Sequence, residues 1–83
     1  MESVVEIFVN DINKVFPGKF TIDESSIVYS IDRCYSATIF SNKPLICCKP
    51  VNYGSASCEI VENTIYIKSG VMNDIIPMLA LIK

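Results

Sequence analysis

The sequence predicts an α+β domain: an N-terminal helix, an antiparallel β-meander of four to five strands and a C-terminal helix, with both helices on one face of the sheet. Three observations predict it. Residues 3–16 carry apolar side chains at helical spacing behind a helix-start signal. Residues 26–69 alternate apolar and polar side chains in short runs separated by turn residues. Residues 71–83 are apolar almost all the way round, the pattern of a buried or interface helix. The 83 residues make a single domain with a modest core.

The first helix begins at Ser3, which stands three residues before Glu6 in a capping-box pattern that satisfies two otherwise orphaned backbone donors. Val4, Val5, Phe8, Val9, Ile12, Val15 and Phe16 share one arc, with Glu6, Asn10, Asn13 and Lys14 opposite. Ile7 falls in the polar arc and is a candidate contact. Pro17-Gly18 stops the helix. Phe20 to Ile22 reads as a short edge strand, and Asp23 to Ser26 as a turn.

Ile27, Tyr29 and Ile31 then alternate with Val28 and Ser30, and Tyr35, Ala37 and Ile39 with Ser36, Thr38 and Phe40. A three-residue turn at Asp32-Arg33-Cys34 keeps the apolar side chains on one face and pairs Ile31 with Tyr35. A single bent strand keeps the same face. Ser41 to Pro44 is a turn by composition. A strand from Leu45 would place Leu45 opposite Phe40, Ile46 opposite Ile39 and Cys48 opposite Ala37, ending at Pro50. Ala56, Cys58 and Ile60 form the next apolar row. A turn at Glu62-Asn63 pairs Ile65 with Ile60 and Ile67 with Cys58, leaving Tyr66 and Lys68 outside. In the last segment Asn73 is a candidate cap, and Pro77 predicts a bend or a split.

Composition narrows the function classes. Apolar residues make up 51% of the chain and charged ones 19%, which excludes a disordered segment. That apolar share exceeds what so short a chain easily buries, so part of it is expected to face a partner. The net charge is −2 and the basic residues are scattered, which argues against a nucleic-acid surface. No apolar stretch reaches membrane-spanning length and no basic start precedes an apolar run, so no membrane is expected and the cytoplasm is the expected setting. Abundant Ile with a single Arg is the usage AT-rich coding produces. That associates the chain with low-GC bacteria, mobile elements or viruses, and in the last case with the host cytoplasm.

The chemistry-bearing residues are sparse. The chain has no histidine, the commonest general base and the usual partner of a nucleophilic Ser or Cys. Cys34, Cys47, Cys48 and Cys58 lack Cys-x-x-Cys spacing, so no metal or other cofactor is expected, and the thiols read as small hydrophobes. Lys68-Ser69-Gly70 precedes a helix start, where backbone N–H groups can hold an anion, but the rest of a phosphate loop is missing. The outer sheet face is more informative. Val28, Phe40, Leu45 and Cys47 fall on it among Ser and Thr, a small apolar patch with a polar surround.

Together these features predict a non-enzymatic protein–protein interaction domain, with a viral or mobile-element regulator or inhibitor of a host protein as the narrower reading. The expected partner is another protein or a second copy, contacted through Val28, Phe40, Leu45, Cys47 and Ile7. The alternatives are a structural homodimer, a small subunit of a larger complex, or an anion- or nucleotide-binding domain.

Overall fold

The computed structural model describes residues 3–45 and 50–82. Among these the chain forms, in order, α1 (Val4–Val15), β1 (Phe20–Tyr29), β2 (Tyr35–Ser41), β3 (Val51–Tyr53), β4 (Ala56–Val61), β5 (Thr64–Ser69) and α2 (Met72–Ile82). The strands make one open antiparallel sheet, and the fold is α+β as the sequence predicts.

Helix α1 starts where the capping pattern places it. The Ser3 hydroxyl accepts a hydrogen bond from the Glu6 backbone N–H at 3.1 Å. Phe8 and Ile12 are fully buried, while Ile7 and Val15 are exposed. Helix α2 is continuous, neither split nor started at Asn73, and Pro77 lies inside it. Proline removes the hydrogen bond to the carbonyl four residues back, that of Asn73. Asn73 is exposed, so water can replace the missing donor. Ile75, Met78, Leu79 and Ile82 form the buried stripe of α2.

The strand order is β1-β2-β5-β4-β3 and departs from the expected meander at one point. Strands β1–β2, β3–β4 and β4–β5 are sequential hairpins, but β2 pairs with β5 rather than with the segment that follows it. This is a Greek-key connection. Both neighbours of β2 are therefore taken: Phe40 lies between Thr21 and Thr64, and Ile39 between Ile22 and Ile65. Leu45 is outside any strand and cannot stand opposite Phe40. The expected positions of Ile46 and Cys48 lie outside the described residues.

A second difference concerns β1, which is one strand and not two. Between Asp23 and Val28 five residue steps face two on β2. The turn chemistry is real, but the sheet holds it as a bulge. Asp23 accepts from the backbone N–H and hydroxyl of Ser25, and the Ser26 hydroxyl accepts the Thr38 N–H at 2.8 Å. The extra residues slide the register, so Tyr29 pairs with Tyr35 and Ile31 falls in the loop, fully exposed.

The last hairpin matches the expected register, with Ile60 opposite Ile65 and Cys58 opposite Ile67. Its two-residue turn puts Glu62 at φ 55, the position a type II′ turn gives to glycine. Replacing Glu62 by Gly is therefore expected to stabilise the fold by about 1 kcal/mol. Thermal unfolding checks this, and an unchanged or lower midpoint would contradict it.

The core is one cluster joining Phe8 and Ile12 of α1, the α2 stripe and the inner sheet positions Tyr35, Ala37, Ile39, Cys58, Ile60, Ile65 and Ile67. Both helices cover this face: α1 packs over β1, and α2 over β3 and β4. Among the described residues, no helix packs on the opposite face. Among the described residues no helix is long and apolar enough to cross a membrane.

Candidate functional site: the outer sheet face

Strand parity decides which side chains reach the outer face. The registers align them in rows across the sheet. One row is Thr21, Phe40, Thr64 and Val61; the next is Asp23, Thr38, Tyr66 and Glu59; Val28 and Ser36 form part of a third. Tyr66 is thus the diagonal neighbour of both Phe40 and Val61, which flank Thr64 in the row beside it. Phe40, Tyr66 and Val61 are 39%, 45% and 55% exposed. Lys68 Nζ lies 2.6 Å from Glu59 Oε1 and sets an ion pair at the border of this cluster.

Of the residues the sequence nominates, Val28 and Phe40 are on the outer face and exposed. The row of Asp23 and Thr38 separates them. Leu45 is elsewhere: it is half-buried and packs against the core cluster. Ile7 sits on α1, in the layer covering the other face, so it does not join Phe40. Cys47 lies outside the described residues. Tyr66 and Val61 complete the cluster and are not in the nominated set. The signal for them was present, because Val61 shares the parity of Glu59, and Glu59 faces Tyr66 once the two-residue turn is fixed.

The sheet edges offer less. Strand β1 is interrupted by the Asp23–Val28 bulge, and β3 is three residues long with Pro50 before it. Bulges, short strands and proline all discourage pairing with a further strand. The face, not the edge, is the accessible apolar surface of the sheet.

Two observations weigh against an anion at Lys68-Ser69-Gly70. The Lys68 ammonium turns out to Glu59. The start of α2 already holds a negative charge: Asp74 Oδ2 accepts from the Ser55 backbone N–H at 2.9 Å and from its hydroxyl at 2.7 Å. The Ser55 hydroxyl in turn accepts the Val71 N–H, so a residue from the β3–β4 turn caps α2. Gly54 makes room for this, since a Cβ there would lie 2.7 Å from Asp74 Oδ2.

The hydrogen bonds from the Ser55 hydroxyl and then its backbone N–H hold the Asp74 carboxyl below the usual carboxylate range. A lowered folded-state pKa contributes stability that is full above the unfolded value and is lost as pH falls through the folded one. The melting gap between wild type and Asp74→Ala is therefore expected to be largest at neutral pH and to shrink below about pH 4. A gap independent of pH would rule out this linkage.

Two cysteines lie among the described residues, Cys34 and Cys58. Burial pushes the Cys58 thiol up, away from the thiolate a nucleophile needs. Cys34 sits in the β1–β2 turn, where its backbone N–H donates to Asp32. Comparison with known proteins adds no relative: no family model, curated protein or solved structure matches the chain.

Proposed function

We propose that this chain is a small non-enzymatic interaction domain that binds another protein through the outer face of its sheet. The observation that carries the reading is the cluster of Phe40, Tyr66 and Val61, exposed together on a face that neither helix covers. Aromatic side chains at the centre of a small apolar patch with charged and hydroxyl neighbours are what interfaces use as anchors. The guarded edges favour face-to-face contact over strand addition. The narrower reading, a regulator or inhibitor carried by a mobile element or virus, is supported only by the Ile-rich, Arg-poor composition.

The test is capture from lysate with wild-type bait and with Phe40→Glu, after circular dichroism shows that both are folded. Wild type is expected to hold a near-stoichiometric partner that Phe40→Glu loses. A partner held equally by both would overturn the placement on the outer face. Light scattering run beside it identifies a second copy as the occupant if wild type is a dimer and Phe40→Glu a monomer.

A further inference from the structure

At the end of the sheet where α1 gives way to β1, the fold builds a small, mostly apolar pocket with two lysines among its lining residues. It measures about 180 Å³ and is lined by Lys19, Phe20, Ser41, Lys43, Pro44 and Leu45. Among the lining residues Phe20 is buried and meets Phe16 edge-on at a centroid distance of 5.4 Å. The lining is held by a network around Asn42. The Asn42 backbone N–H donates to the Lys19 carbonyl at 2.9 Å. Its side-chain amide donates to the Gly18 carbonyl at 3.1 Å and accepts from the Thr21 hydroxyl at 2.7 Å. The Ser41 hydroxyl donates to the Lys43 carbonyl at 2.6 Å. The backbones of both lysines that line the apolar hollow are thus held by hydrogen bonds.

Size and charge select the occupant. Pockets that take whole small ligands run to roughly 300 Å³ or more. This one suits a single large side chain. Among the described residues the ion pair is that of Lys68 with Glu59, so neither the Lys19 nor the Lys43 ammonium is neutralised there. On a chain of net charge −2, two lysines that form no ion pair among the described residues, both lining one apolar hollow, are a local reversal of sign.

We infer that this pocket anchors one bulky apolar side chain of an acidic segment in a partner protein, with carboxylates flanking that side chain meeting Lys19 and Lys43. The inference rests on the reading of the chain as a binding module, but not on the outer face as its surface. Charge on the two lysines steers the encounter and fixes orientation, while the buried side chain supplies most of the binding energy.

The experiment is a ¹H–¹⁵N titration of the full chain with three end-blocked tripeptides: Asp-Phe-Asp, Lys-Phe-Lys and Asp-Ala-Asp. Saturable shifts are expected at the amides of Lys19, Phe20, Ser41, Lys43 and Leu45 with the first peptide and not with the other two. The double reversal Lys19→Glu/Lys43→Glu is expected to weaken that binding about tenfold, the combined effect of two exposed ion pairs. Phe40→Glu should leave it unchanged. A Phe40→Glu chain that loses its partner yet keeps the tripeptide supports both surfaces. One that keeps both partner and tripeptide removes the outer face and leaves the pocket. Equal shifts with all three peptides, shifts elsewhere, or indifference to the double reversal would overturn the inference.

Discussion

Replacing Ile39 by Ala is expected to destabilise the domain by about 3–4 kcal/mol. Ile39 is completely buried in β2, the strand that joins the two halves of the sheet, with Ile22 on one side and Ile65 on the other. Three methyl or methylene groups vanish from a site walled by strands on both sides, so the cavity cannot close without moving the sheet. A domain of this length has on the order of 4–12 kcal/mol in total. The loss is therefore about a quarter or more of the total, and the melting midpoint should fall by roughly 15–25 °C. Ile39→Val removes one methylene and should cost about 1 kcal/mol. Chemical denaturation checks both. A similar small loss for the two variants would mean that β2 is not central to the core.

Gly70→Ala is the second large effect, and it acts by crowding. Gly70 is buried between β5 and α2, and its carbonyl accepts the Tyr35 N–H at 2.7 Å. A Cβ at this position would lie 2.6 Å from Ala56 Cβ, 2.7 Å from Ala56 Cα and 3.2 Å from Ile75 Cγ1. Two of these atoms belong to Ala56, and one of them is backbone, so β4 or the β5–α2 connection must move. The expected cost is about 2–3 kcal/mol, a typical overpacking penalty. Ala56→Gly in the same chain removes the methyl group from the clash but leaves the main chain of residue 56 in place. It should therefore restore only part of the loss. Full stability in the Gly70→Ala single variant, measured by denaturant unfolding, would contradict the close approach.

Much of the local structure was legible because short-range chemistry dictates it. Ser3 and Glu6 mark the start of α1, and Glu62-Asn63 fixes the β4–β5 register through a two-residue loop that permits little else. The Asp23–Ser26 stretch was legible as turn chemistry but not as a bulge. Its side chains satisfy backbone groups locally, and either a break between strands or an insertion within one uses the same bonds. That insertion is why Ile31 follows the alternation in sequence yet ends in solvent.

The pairing of β2 with β5 was not legible. The inner residues Ala37 and Ile39 match Ile67 and Ile65 as well as they match Cys48 and Ile46, and parity says nothing about which neighbour wins. For the outer face the consequence was direct. Val28 and Phe40 were placed by parity, which survives either pairing. Leu45 depended on the wrong neighbour, and Tyr66 and Val61 join Phe40 only through the β2–β5 pairing and the β4–β5 hairpin beyond it.

The measurement that most directly tests binding through the outer face compares two charges placed on opposite layers of the molecule. Phe40→Glu alters the bare sheet face, and Leu81→Glu alters the exposed side of α2, where Leu81 is 63% exposed. Each is titrated against the captured partner, or against itself if the partner is a second copy. The expected result is a loss of about 30-fold or more for Phe40→Glu, on the order of 2 kcal/mol, with Leu81→Glu within about twofold of wild type. The reverse ranking, or an equal loss in both, would contradict it.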